Sequence, residues 1–174
     1  MLKRRRIVTL LFAVAAATAA LSLASAPASH AATVTGLIEN GNNEMCVQQP
    51  AVTNPEGVQL MQGPCSLGTL WSFIPLGNGR YNIVSTAPNH LCLRARANAD
   101  FSAVDSFGCT GVSNDVWLLS PVTGGPAANL FQIKSEISTG GEPCLDVNQD
   151  SPFAGAPIDV FHCGHNNLAQ LFFI

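Results

Sequence analysis

Pro143-Cys144-Leu145-Asp146-Val147 is one of three phrases of the same kind in this chain, the others being Met45-Cys46-Val47-Gln48 and Leu91-Cys92-Leu93-Arg94. Each is strand-like, and a second cysteine follows each at nearly equal separation: Cys65 after Cys46, Cys109 after Cys92, Cys163 after Cys144. Before or around each second cysteine lies another short apolar run: Val58-Gln59-Leu60-Met61, Ala103-Val104-Asp105-Ser106-Phe107 and Ile158-Asp159-Val160-Phe161. A few residues later comes an aromatic in an apolar strand: Leu70-Trp71-Ser72-Phe73, Val116-Trp117-Leu118-Leu119 and Leu171-Phe172-Phe173-Ile174. Repetition at a fixed period is the signature of units that cannot bury an apolar face alone and must assemble on their neighbours.

Each unit also has an opening strand: Val34-Thr35-Gly36-Leu37-Ile38, Arg80-Tyr81-Asn82-Ile83-Val84-Ser85 and Leu130-Phe131-Gln132-Ile133-Lys134-Ser135. The second and third match position by position as aromatic, polar, Ile, variable, Ser. The pattern predicts four short strands per unit and twelve in all, punctuated by Asn40-Gly41, Asn78-Gly79 and Gly140-Gly141. No stretch downstream of the N-terminal segment keeps a helical period, so the fold class is all-β. Three such units fit a closed barrel with pseudo-threefold symmetry, and closure removes exposed sheet edges. Trp71, Trp117 and Phe172 recur once per unit and are expected in the shared core.

The N-terminus reads as an export signal. Lys3, Arg4, Arg5 and Arg6 precede an apolar run from Ile7 to about Leu23, and Ser29-His30-Ala31 offers small residues for a signal peptidase. The run is nearly long enough to span a bilayer, but the Ala26-Pro27-Ala28-Ser29 tail argues for removal. Residues 1–31 are therefore expected to be a secretory signal peptide, and 32–174 a single secreted, extracellular domain with units at about 33–77, 78–124 and 125–174. Beyond the signal, the cations Arg80, Arg94, Arg96 and Lys134 face eleven acids, a net charge of −7. An acidic surface without a basic cluster makes nucleic acid and anionic membrane poor partners.

All six cysteines lie beyond the signal, and an even count in an exported chain reads as three disulfides. Fifteen pairings exist, and repetition selects the in-unit one, because only that arrangement gives every unit the same staple. Each staple closes a loop of about 20 residues, worth about 3 kcal/mol of chain entropy. His162-Cys163-Gly164-His165 raises the alternative of a metal site, which export and the even cysteine count oppose; neither metal nor cofactor is expected.

These residues resemble the ricin B-chain lectins and the trefoil carbohydrate-binding modules of secreted glycosidases. The likeness covers essentially the whole chain beyond the signal and is most specific from Cys144-Leu145-Asp146-Val147 through Gln170-Leu171-Phe172. It implies a β-trefoil with one shallow sugar site per unit, some of them commonly lost, and galactose, xylose or related sugars as ligands. It implies that the Asp of the Cys-Leu-Asp phrase accepts hydrogen bonds from two sugar hydroxyls. The aromatic two residues before the second cysteine stacks on the sugar, an Asn before the terminal Gln-x-Trp motif adds a polar contact, and the Gln is largely structural. A carboxylate suits adjacent hydroxyls because charge-assisted hydrogen bonds are the stronger kind.

Carried over, the third unit keeps Asp146, Phe161 and Gln170, with Ala169 where the Asn stands and Phe172 for the usual Trp. Asn166 and Asn167 lie close enough in sequence to supply the amide, and Asp159 occupies a position that borders the sugar. Strand alternation places Val160 and Phe161 on opposite faces, so one of them points away from the core. The second unit keeps Phe107 and Asn114 but has Arg94 for the acid, a donor that cannot accept, and Asp115-Val116-Trp117 for the motif. The first has Gln48 for the acid, Met61 near the aromatic position, an apparent insertion at Gln62-Gly63-Pro64, and Thr69-Leu70-Trp71. The first and second sites therefore read as lost.

No nucleophile elbow, zinc-protease helix or phosphate-cradling loop is present, and Asp146 with Asp159 on a shallow surface makes a poor glycosidase pair. The reading is a lectin-like module and not an enzyme. Its rival is a trefoil that binds a protein, as protease inhibitors and toxin-targeting subunits do, through loops such as Thr53-Asn54-Pro55-Glu56 and Val122-Thr123-Gly124-Gly125-Pro126. Fold alone separates neither.

Overall fold

The computed structural model describes residues 32–50, 55–123, 129–137, 143–164 and 167–174. The N-terminal segment 1–31, Thr53-Asn54, Gly124-Gly125-Pro126, Gly140-Gly141, His165 and Asn166 lie outside the described residues. The strands are β1 Val34–Gly36, β2 Glu39–Asn40, β3 Met45–Gln48, β4 Val58–Gln59, β5 Met61–Pro64, β6 Trp71–Gly77, β7 Arg80–Ser85, β8 Cys92–Ala95, β9 Ser102–Phe107, β10 Val116–Pro121, β11 Phe131–Ser135, β12 Pro143–Val147, β13 Ile158–His162 and β14 Phe172–Phe173. Short 3₁₀ turns, among them Leu168–Gln170, are the only helical structure in the described residues, which are otherwise all-β.

Twelve strands were expected and fourteen are described, because two runs of the first unit are broken. One break falls at Leu60. Its N–H continues the pairing of β4 with β9 by donating to Val104 O at 2.9 Å, and its carbonyl accepts from Ile158 N at 2.9 Å. Leu60, Val104 and Ile158 are each fully buried, and they tie three hairpins together about one axis.

The remaining strands make a ring. β1 pairs with β6, β6 with β7, β7 with β10, β10 with β11, β11 with β14 and β14 with β2. Since β1 and β2 are two pieces of one opening run, the ring closes. The hairpins β3/β5, β8/β9 and β12/β13 leave it at equivalent places, through the pairs Glu39↔Cys46, Val84↔Cys92 and Lys134↔Cys144. Asn78 and Gly79 turn β6 into β7 with positive φ at both positions, the backbone that matches the twist of a tight hairpin.

Trp71, Trp117 and Phe172 are fully buried in one apolar cluster with Ile83, Ile133, Leu93 and Leu145, as the repeated phrases predict. Burying a ring of this size contributes several kcal/mol only if its polar atom finds a partner. Trp71 Nε1 donates to Val47 O at 3.2 Å and Trp117 Nε1 to Leu93 O at 2.8 Å. Trp117→Phe is expected to keep the fold and lose about 2 kcal/mol, from a smaller ring and an unpartnered carbonyl. Chemical denaturation would reveal it, and an unchanged midpoint would refute the role given to the Nε1 bond.

The disulfides join Cys46 to Cys65, Cys92 to Cys109 and Cys144 to Cys163. In-unit pairing is what repetition selected. It also consumes Cys163, so the His162-Cys163 phrase has no thiolate to offer a metal.

Candidate functional site

Strand register aligns the three hairpins atom for atom. Asp146 stands opposite Asp159, Arg94 opposite Asp105 and Gln48 opposite Met61. Two pairs further along, at the disulfide, Phe161 lies opposite Cys144, Phe107 opposite Cys92 and Gly63 opposite Cys46. The aromatic position of the first unit is therefore Gly63, not Met61, and Gln62-Gly63-Pro64 is no insertion but in-register strand. Gln48 folds over Gly63 so closely that a Cβ there would collide with its amide. The Gln62 side chain, buried, donates to Ser151 O at 2.6 Å and to Phe153 O at 2.9 Å. Gln62 pairs with core-facing Val47, so on the outward face of the first hairpin it is Gln48 that covers Gly63.

The second unit is closed differently. Arg94 grips Asp105 with two bonds, Nε to Oδ1 and Nη2 to Oδ2, each 2.9 Å, and its Cζ lies 3.7 Å from the Phe107 ring centroid. Arg96 Nε adds a third bond to Asp105 Oδ2 at 2.7 Å. The guanidinium thus covers the Phe107 ring and neutralises Asp105. Asp115 stands where Gln170 stands, and its Oδ2 accepts from Thr110 N, Thr110 Oγ1 and Gly111 N at 2.6, 2.8 and 3.1 Å.

In the third unit the core-facing residues are Leu145, Val147, Ile158 and Val160, so alternation turns Asp146, Asp159 and Phe161 to the opposite face together. Asn167 Nδ2 donates to Asp146 Oδ1 at 3.3 Å while its own Oδ1 caps the 3₁₀ turn at Ala169 N. Asn167 thereby supplies an amide to the acid from a position two residues before Ala169. Gln170 is buried: Oε1 accepts from Gly164 N at 2.8 Å and Nε2 donates to His162 O at 3.1 Å. These two bonds go to the backbone and position the loop after the disulfide, while the same side chain also hydrogen-bonds the Asp146 carboxyl. Asn42, Asp150, Asn167 and Leu168 line an open hollow beside this group.

The electrostatics set this unit apart. Asp146 is 4% and Asp159 1% exposed, and among the described residues no cation pairs with either. Burial pushes the Asp146 carboxyl up to about 7, the charge of Asp159 adding to it and the Gln170 and Asn167 amides opposing it. Burial pushes Asp159 up to about 6 against the hydrogen bond it accepts from Asn148. Asp159 Oδ1 is buried with no partner in the protein. Asp146 and Asp159 thus form a buried acidic pair on the face of Phe161, with one oxygen of Asp159 lacking a hydrogen-bond partner among the described residues.

The chain superposes on a designed threefold-symmetric protein, ThreeFoil, at 17% identity and a TM-score of 0.72, covering 80% of this chain and 96% of that one. It superposes on the Macrolepiota procera ricin B-like lectin in complex with lactose at 15% identity and a TM-score of 0.62, covering 80% and 93%. The fold is a β-trefoil. A third trefoil match lies within an exo-β-1,3-galactanase from Clostridium thermocellum, at 17% identity and a TM-score of 0.67; the chain spans only 29% of that enzyme's length. No known family profile matches this trefoil, and no curated protein matches its sequence. No described helix is long and apolar enough to cross a membrane.

Proposed function

We propose that this trefoil is a secreted carbohydrate-binding module of three four-strand units, with one sugar site, in the third, and that it acts by binding and not by catalysis. The observation that carries the reading is the contrast between aligned positions: Arg94 neutralises Asp105 and covers Phe107, whereas Asp146 and Asp159 lie on the face of Phe161, away from the core, and pair with no cation among the described residues. Asp146 accepts from two sugar hydroxyls, Asn167 orients it and adds an amide, and Phe161 contacts the sugar's apolar face. Asp159 borders the site behind Asp146, and Gln170 holds the loop behind them. The lactose-bound ricin B-like lectin among its structural neighbours supports a galactose-type ligand. Three disulfides suit an oxidising, extracellular setting after removal of residues 1–31.

One shallow site binds weakly, so the test is a glycan array with the oxidised protein displayed in many copies beside its Asp146→Ala variant. The variant is expected to fold and to lose sugar affinity about 100-fold or more, since two bonds to a charged acceptor vanish. Retained binding would sink the assignment. Silence from both proteins would turn the search to a protein partner.

A further inference from the structure

Phe101 carries two costs at once. Its backbone sits at φ 62, a region that suits glycine or asparagine, and its ring is 56% exposed. Neither serves the core. Yet the turn that holds it is fastened to β13 by three contacts. Phe101 N donates to Val160 O at 2.9 Å, His162 N donates to Asp100 Oδ1 at 2.8 Å, and His162 Nδ1 meets Asp100 Oδ2 at 3.0 Å. The result is a ring from the second unit set 4.8 Å from the ring of Phe161, tilted by 49°.

Strand order gives this contact a direction. β12 pairs with one edge of β13 and β9 with the other, so Asp146 and Phe101 flank Phe161 from opposite sides on a single face. Two strand spacings separate the flanks, about 10 Å. One pyranose ring is too small to reach both.

We propose that Phe101 is a second aromatic platform of the third-unit site, and that the ligand is an oligosaccharide of at least two rings, the first at Asp146 and Phe161 and the next on Phe101. This rests on the reading of Asp146 as a sugar ligand. The clamp between Asp100 and His162 is a positioning device: it holds the exposed ring on the path of the glycan instead of letting it collapse. A purely structural Phe101 would shield Phe161 and be indifferent to ligand length.

The test is calorimetric titration of the oxidised protein with galactose, lactose, xylose and xylotriose. Phe101→Gly removes the ring and relieves the positive φ, so the variant is expected to melt close to the parent. The parent should bind lactose or xylotriose about tenfold tighter than the matching single sugar. Phe101→Gly should abolish that preference with the single-sugar affinity unchanged, and Phe101→Tyr should keep it. An unchanged preference in Phe101→Gly overturns the proposal, as does an equal loss for short and long sugars. Asp146→Ala separates the two readings: if it still binds while Phe101→Gly loses the preference, the role of Asp146 fails and the platform stands. A parent that binds none of the four sugars overturns both.

Discussion

Reduction of all three disulfides is expected to lower the melting temperature by on the order of 20 °C or more and to leave the protein largely unfolded at body temperature. The bridges span 19, 17 and 19 residues, loops for which chain entropy gives about 3 kcal/mol each. Their sum, about 9 kcal/mol, matches the whole stability of an ordinary domain, about 5–15 kcal/mol. Little else substitutes for them. β2, β4 and β14 are two residues long, so several seams of the barrel hold few ladder bonds. Each bridge also ties a hairpin's two strands near where they leave the ring. Melting by circular dichroism before and after reduction, with six free thiols verified, decides the matter; coincident curves would overturn it.

Stability is expected to fall as pH rises from about 5 to about 8, by on the order of 2 kcal/mol or about 4–8 °C. Asp146 and Asp159 have folded-state values of about 7 and about 6, above the ordinary 3.8 of the unfolded chain. Between those limits the folded protein holds more protons than the unfolded one, so each step upward in pH favours unfolding. Partial solvent access and mutual coupling reduce the full shift, hence the modest figure. Asp146→Asn should flatten most of the slope and stabilise the protein at pH 8. Sugar affinity runs the other way, since the carboxylate must be ionised to accept two hydroxyls, and it should weaken as pH falls below about 7. A melting temperature that rises from pH 5 to pH 8 would contradict the sign.

The architecture was legible because cysteines and core aromatics repeat in one order, the cysteines fixed by in-unit bridges and the aromatics by a core all three units share. Asp146, Asp159 and Phe161 were drawn from the resemblance to lectins; the structure shows that alternation turns them to one face of the hairpin whose ends are marked by Cys144 and Cys163. The misplacement of Met61 came from matching apolar character instead of counting. Two residues back from Cys65 is Gly63, and that count was available in the sequence. Other features depend on contacts between units. Arg94 could be seen to lack an acceptor, but its pairing with Asp105 and its cover over Phe107 follow from strand register. Phe101 carries no local mark, because its contact is made by a turn of one unit reaching β13 of the next. Asn167 was one of two candidate amides, and only the cap at Ala169 aims it at Asp146.

The pairing of β14 with β2 sets Phe172 against Asn40, residues at opposite ends of the described chain. Local staples cannot bring those segments together, because every bridge lies within one unit. The ring therefore closes by a meeting of high contact order, the slow kind of folding step, and β2 must wait for almost everything after it to be synthesised. A protein built this way has hairpins that mature early and a barrel that seals late. During that interval its unpaired edges depend on dilution or a chaperone to escape intermolecular pairing.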